Sequence, residues 1–209
     1  MASFGRSEKK TFKLGLAAVL CFTTVQAWGE SMPEKTEKAT FAAGCFWGVE
    51  KVFGALPGVV STQVGYTGGS VKDPTYEEVC TGRTGHAEAI EIAYDPSRVR
   101  YEELLEVFFR HHDPTTADRQ GNDVGPQYRS AVFYHSDEQK KAAEQALQAL
   151  REAKIFRDRI VTEVVRADEF YRAEEYHQKY LKKNPFGYCS LQMQSAKVGE
   201  VLKAARAQQ

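Results

Sequence analysis

The residues best equipped for chemistry lie in the run Gly44-Cys-Phe-Trp-Gly48. Residues 40–43 ahead of it read as the end of a strand, and Val49, Val52, Phe53 and Leu56 behind it recur at helical spacing. Cys45 is therefore expected where a strand turns into a helix. Unpaired backbone N–H groups and the positive end of the helix dipole gather at such a point, and both favour a thiolate over a thiol. Gly44 and Gly48 have no side chain, which predicts close approach of a reactant to the sulfur. Phe46 and Trp47 predict an apolar pocket around it.

A second thiol, Cys189, lies in Gly-Tyr-Cys-Ser near the C-terminus. Taken alone it reads as a surface cysteine of no consequence. Paired with a nucleophilic Cys45, it completes a layout for reversible oxidation, in which a sulfenic acid on one sulfur condenses with the other to a disulfide. Glu88 alternates with His86, Ile90, Ile92 and Tyr94 on one face of an apolar strand. A carboxyl among such neighbours has a raised pKa and keeps a proton available, although the pattern fits a solvent-facing glutamate equally well. Tyr76 and Tyr128 can donate phenolic hydrogen bonds. Asp123 sits in a long polar loop, where an aspartate is by default a turn residue. His111-His112-Asp113 ends a helix, where the dipole favours cations.

Composition narrows the classes. The chain has 209 residues, enough for one substantial core, with 28 basic and 28 acidic side chains. No basic field argues for nucleic acid, and no stretch is long and apolar enough for a mature chain to cross a bilayer. Arg6, Lys9, Lys10 and Lys13 precede an apolar run over 14–22, and small residues follow at 25–27, the order of a secretory signal peptide. Against one acidic residue, Glu8, these give residues 1–27 a net +3, so cleavage leaves the balanced chain at −3. An exported, periplasmic protein is the expectation, with a membrane anchor or organelle-targeting segment as the alternative. Cys45, Cys80 and Cys189 remain after cleavage, an odd number that points to a working thiol rather than a disulfide scaffold. None forms a metal-binding pattern, and no metal or cofactor is expected.

The elements that must position these residues follow in order. Residues 58–66 predict a strand, 73–79 a short helix, 86–94 a strand, and 101–111 a helix with Leu104, Leu105, Phe108 and Phe109 on one stripe. Residues 115–127 predict an irregular loop, 128–134 a strand, 136–153 a helix opened by Ser136, 160–165 a strand, and 173–183 a helix closed by Asn184-Pro185. The natural solution is an α+β fold: a mixed, largely antiparallel sheet covered by helices, a two-layer sandwich of the ferredoxin-like plait kind. The division expected is a signal peptide over 1–27, a flexible leader over 28–38, one catalytic domain over 39–190 and a polar C-terminal tail over 191–209.

With these stretches set side by side, the chain resembles the A-type peptide methionine sulfoxide reductases. The resemblance rests on Gly44-Cys-Phe-Trp-Gly48, Gly65-Tyr-Thr-Gly-Gly69, Pro74-Thr-Tyr-Glu-Glu-Val-Cys80, Gly85-His-Ala-Glu88, His112-Asp-Pro-Thr115, Arg119-Gln-Gly-Asn-Asp123, Gln127-Tyr-Arg-Ser130 and Ala173-Glu-Glu-Tyr-His-Gln178, all in family order. It implies that Cys45 attacks the sulfur of methionine sulfoxide while Phe46 and Trp47 hold the methyl group. It implies that Glu88 protonates the sulfoxide oxygen with help from Tyr76 and Tyr128, that Asp123 positions substrate, and that Cys189 resolves the sulfenic acid. It further implies action on the S epimer in oxidised proteins and recycling by a thioredoxin-like dithiol, with a monomer expected. Only one cysteine follows the core, so direct pairing of Cys45 with Cys189 is the simple expectation, and Cys80 receives no role. A thiol peroxidase has no need for the aromatic cage or for Glu88, and a sulfoxide-binding protein would bind without turnover.

Overall fold

The structure is a computed structural model that describes residues 1–2 and 35–207. The expected signal peptide beyond residue 2 and residues 28–34 of the leader lie outside the described residues. The elements are β1 (Glu37–Ala43), α1 (Phe46–Phe53), β2 (Val59–Thr67), α2 (Tyr76–Cys80), β3 (Ala87–Tyr94), α3 (Tyr101–Arg110), β4 (Arg119–Gln120), β5 (Asp123–Val124), β6 (Ser130–Tyr134), α4 (Asp137–Glu152), β7 (Glu163–Arg166), β8 (Tyr171–Arg172), α5 (Tyr180–Lys183) and α6 (Ala196–Arg206).

Six strands form one sheet in the order β7-β6-β1-β3-β2-β8. All neighbours are antiparallel except β6 and β7. The inner four strands, with α1 between β1 and β2 and α3 between β3 and β6, make the βαββαβ arrangement of the ferredoxin-like plait. The fold is α+β, as the alternation of strands and helices predicts.

Alternation along the strands decides which face each residue serves. Phe41, Ile90, Ile92 and Tyr94 are buried beneath the helices, where Phe41 stacks on Phe53 and Phe108 at centroid distances of 5.4 and 5.1 Å. Ala42, Ala87, Ala89 and Ala131 line the opposite face with Phe133. Their small size lets irregular backbone lie close against that face, with Ala167 and Phe170 packed there. α4 opens as expected, with Ser136 accepting a hydrogen bond from the Gln139 N–H. Thr75 and Glu78 close a capping box on α2.

Several expected boundaries move. Glu37 and Lys38, assigned to the leader, pair with β3 as the start of β1. Residues 196–206, assigned to a polar tail, form α6, which buries Val198 and Leu202 in the main core. Its periodicity is weak because only one narrow stripe is apolar, while Lys203 and Arg206 reach Glu106 and Glu103 on α3. The helix expected over 173–183 shrinks to α5. Lys179 takes a left-handed conformation (φ 54°), and the Gln178 side chain bonds both the N–H and the carbonyl of Val64 on β2. Ahead of α5 the backbone makes i→i−3 turn bonds, from the His177 N–H to Glu174 and from the Gln178 N–H to Glu175, and the Gln178 amide fastens these turns to β2. The strand expected from Tyr128 begins at Ser130, and Tyr128 closes a single 3₁₀ turn. The 115–127 loop is mostly irregular but contains the two-residue ladder β4–β5.

Candidate active site

Cys45 caps the N-terminus of α1, directly after β1. Gly44 makes the junction with φ +85°, a conformation that favours glycine. The neighbours of the two glycines differ from the expected reactant. A Cβ on Gly44 would stand 2.6 Å from the side chain of Gln120, which is 1% exposed. A Cβ on Gly48 would stand 2.7 Å from Leu191 Cγ and 2.9 Å from Cys189 Sγ. Gly44 is therefore bare to admit the 113–123 loop. Gly48 is bare to admit the segment that carries the second thiol.

Glu88 lies on β3, the strand next to β1, and is 2% exposed. Its Oε2 accepts a hydrogen bond from the Phe46 N–H at 3.0 Å, so the first turn of α1 is tied to the acid. Burial pushes the Glu88 carboxyl up to about 8; the Phe46 N–H opposes this and Asp123 adds to it. At neutral pH Glu88 holds a proton. Burial also pushes the Cys45 thiol upward, followed by the charge of Glu88, with the Trp47 N–H pulling the other way. The expected thiolate is thus corrected: the helix N–H is in place, but desolvation of a cysteine only 8% exposed outweighs it, and Cys45 keeps its proton.

Cys45, Phe46, Trp47, Tyr76, Glu88, Asp123, Tyr128 and Tyr188 line one cavity of about 150 Å³. Seven of the eight residues singled out from the sequence meet there. Burial raises the phenols of Tyr76 and Tyr128, which stay protonated and able to donate. Asp123 Oδ1 accepts from the Tyr188 hydroxyl at 3.0 Å, while its buried Oδ2 has no protein partner. Cys189, the eighth, is exposed and lies against Gly48, one turn along α1 from Cys45, and both cysteines are free. Tyr188, Leu191 and the Gln194 N–H, which bonds the Arg110 carbonyl at 2.8 Å, seat this segment.

Four residues that shape the pocket were not singled out. The Trp47 indole N–H donates to His177 Nδ1 at 3.0 Å, and the His177 ring packs on Phe46 and Tyr76 at centroid distances of 5.0 and 4.5 Å. Tyr180 stacks on Trp47 at 3.8 Å. Glu174 accepts from the Tyr66 hydroxyl and the Tyr76 N–H, and Tyr188 holds Asp123. Three of these lie in or beside the run Ala173–Gln178, and Tyr188 adjoins Cys189. Their presence in those runs was the available signal; their partners lie too far away in sequence for spacing to show.

His112 corrects another expectation. It is fully buried, bonded to the Phe108 carbonyl and to Ser130 Oγ at 2.7 Å each, and burial pushes it down to about 4. It is a neutral link between α3 and β6, not a cation at a helix end. His86 Nδ1 accepts from the Gly69 N–H and Nε2 meets the Val71 carbonyl, so that ring fastens the loop after β2. Among the described residues no group of three or more His, Cys, Asp or Glu side chains is placed to hold a metal ion.

A buried thiol beside a protonated carboxyl and a wall of aromatics defines a class of site: a sulfur nucleophile with its own general acid, built for a small, partly apolar group that bears a basic oxygen. Comparison with known proteins gives the class a family. The family model described as peptide methionine sulfoxide reductase matches residues 37–208. The peptide methionine sulfoxide reductase MsrA of Methanothermobacter thermautotrophicus is 61% identical over 155 residues, 74% of this chain and 92% of that relative. Among solved structures, methionine sulfoxide reductase A of Corynebacterium diphtheriae is 44% identical with a TM-score of 0.66, covering 74% of this chain and 77% of that one. Mxr1 of Saccharomyces cerevisiae in complex with Trx2 is 25% identical with a TM-score of 0.53, covering 78% of this chain and 94% of that one. The chain belongs to the peptide methionine sulfoxide reductase family, as an A-type enzyme.

Proposed function

We propose that this enzyme reduces the S epimer of methionine sulfoxide in oxidised proteins through a sulfenic acid on Cys45 and a disulfide between Cys45 and Cys189. One observation carries the reading: the Cys45 thiol and a Glu88 carboxyl that keeps its proton at neutral pH share one aromatic-walled cavity. A sulfoxide oxygen leaves sulfur only once protonated, and an acid titrating near the working pH is suited to supply that proton.

Phe46 and Trp47 take the methyl group, and Tyr76, Tyr128 and Glu88 donate hydrogen bonds to the oxygen. The unpartnered Asp123 Oδ2 supports a polar contact from the substrate. The partial positive charge on the sulfoxide sulfur favours loss of the Cys45 proton as the S–S contact forms. Oxygen passes to Cys45, which becomes the sulfenic acid, and methionine departs as the reduced thioether. The Cys189 thiol then attacks the Cys45 sulfur; the S–S bond forms and water leaves with the hydroxyl oxygen. An external dithiol returns both cysteines to thiols and is itself oxidised to a disulfide. The yeast relative's complex with Trx2 supports a thioredoxin in that role.

The pattern of residues 1–27 supports export of the enzyme, which would place it beyond cytosolic thioredoxin and require a donor relayed across the membrane. N-terminal sequencing of the mature protein tests this. The chemical reading is tested with the two epimers of N-acetylmethionine sulfoxide amide and dithiothreitol. The S epimer yields the thioether and the R epimer does not, and Cys45→Ser yields none from either. Equal turnover of both epimers, or turnover by Cys45→Ser, overturns it.

A further inference from the structure

Trp47 borders a second cavity, of about 360 Å³, whose other walls include Glu50, Lys51, Ala55, Lys179, Leu181 and Lys182. Two of its charges cancel within the protein. Glu50 is 3% exposed and accepts from Thr62 Oγ1 at 3.1 Å, the Lys179 N–H at 2.6 Å and Lys179 Nζ at 3.0 Å. Lys179 Nζ also donates to the Thr62 carbonyl and hydroxyl, which uses all three of its protons. Lys51 and Lys182 differ: both are exposed, and neither ammonium has an ionic or hydrogen-bonded partner among the described residues. The cavity thus pairs an apolar floor (Trp47, Ala55, Leu181) with two unneutralised cations and no free anion.

We propose that this cavity is a subsite for the polypeptide next to the oxidised methionine and that it selects an Asp or Glu side chain there. The inference rests on the reading of the Cys45 cavity given above. Trp47 is common to both cavities, so a chain whose oxidised side chain fills one passes the indole on its way to the other. In an extended peptide, residues two apart point to the same side about 7 Å from each other, a reach comparable to the width of the indole. The carbon stem of an acidic residue packs on Trp47 and Leu181 while its carboxylate meets Lys51 and Lys182.

The test uses acetylated, amidated pentapeptides with a central methionine S-sulfoxide and Glu, Gln or Lys at the positions two before and two after it. Amidation leaves no terminal carboxylate to compete. At low salt kcat/KM falls in the order Glu, Gln, Lys by about threefold per step, as for exposed ion pairs, and the three values converge near 1 M salt. In the double variant Lys51→Glu, Lys182→Glu the Glu-to-Lys ratio inverts; in Lys51→Gln, Lys182→Gln it approaches one. N-acetylmethionine S-sulfoxide amide, which has no neighbours, separates the two levels of the argument. If the parent enzyme turns over this small substrate but treats all three peptides alike, or keeps a preference that salt does not move, the subsite is overturned and the catalytic reading stands. Failure on the small substrate overturns the catalytic reading itself.

Discussion

The two cysteines at this site are held in opposite ways. Cys45 sits at a junction between a central strand and a helix, buried and flanked by residues whose backbone bonds run into the sheet core. Cys189 sits in an irregular segment between α5 and α6, exposed, and seated by Tyr188, Leu191 and Gln194. The difference separates two chemical demands. The attacking sulfur and its acid must keep a fixed geometry across many turnovers, which a packed core supplies. In the cycle proposed above, a resolving Cys189 has to move toward Cys45 after oxygen transfer and away again after reduction, a demand that an exposed segment with few anchors meets.

Removing the exposed sulfur tests that division most severely. Cys189→Ser is expected to release a single methionine per enzyme in rapid-quench experiments and then stop with a protein dithiol donor, leaving Cys45 as a sulfenic acid that dimedone labels. Normal cycling of this variant removes Cys189 from the reaction. On the fixed side, Glu88→Gln keeps the shape of the acid and removes its proton, so the single-turnover rate falls by about 10²–10⁴-fold with little change in binding. The parent's chemical rate also declines as pH rises past about 8, where Glu88 loses its proton, and the variant lacks that limb.

A smaller effect probes the contact between the two regions. Gly48→Ala places a methyl group where Leu191 and the Cys189 sulfur now lie. The C-terminal segment must shift, and overpacking of this kind costs about 1–3 kcal/mol, so disulfide formation slows by about tenfold. The first burst of methionine is reduced much less. Equal slowing of both steps would show that Gly48 serves α1 rather than the resolving segment.

Stability gives the mildest test. In the folded protein Glu88 protonates near pH 8, against 4.5 for the free group, so the folded state holds the extra proton between those values and stability falls as pH rises through that window. Glu88→Gln abolishes this slope, so its thermal midpoint exceeds the parent's above about pH 8 and converges with it near the ordinary carboxylate range. His112 works in the other direction. It stays neutral down to about pH 4 in the fold but binds a proton near 6.5 when unfolded, so stability is lost as pH falls through that window. His112→Asn is expected to be less stable at neutral pH yet to show a shallower acid slope in calorimetry.

Local pattern carried far where the physics is local. Strand alternation over 86–94, the stripe on α3 and the cap at Ser136 were legible because each depends on neighbours a few residues away. The α6 helix and the turns over 173–179 were not, because α6 depends on packing against α3 and α4, and the Gln178 side chain fastens those turns to Val64 on β2. Similarly, the run around Cys45 announced a sulfur at a helix start, but not its protonation, since desolvation is a sum over everything that surrounds it.

By itself, the order of residues determined that a thiol would cap a helix, that a carboxyl would lie on an apolar strand, and that a second thiol would follow the core. Only the tertiary structure decided that β1 and β3 are neighbours, so that the Phe46 N–H reaches Glu88 and Cys45 and Glu88 share one cavity. Covalent sequence sets what each residue can do within a turn or a strand. Burial and the meeting of distant segments set which proton each group keeps, and those depend on the whole fold at once.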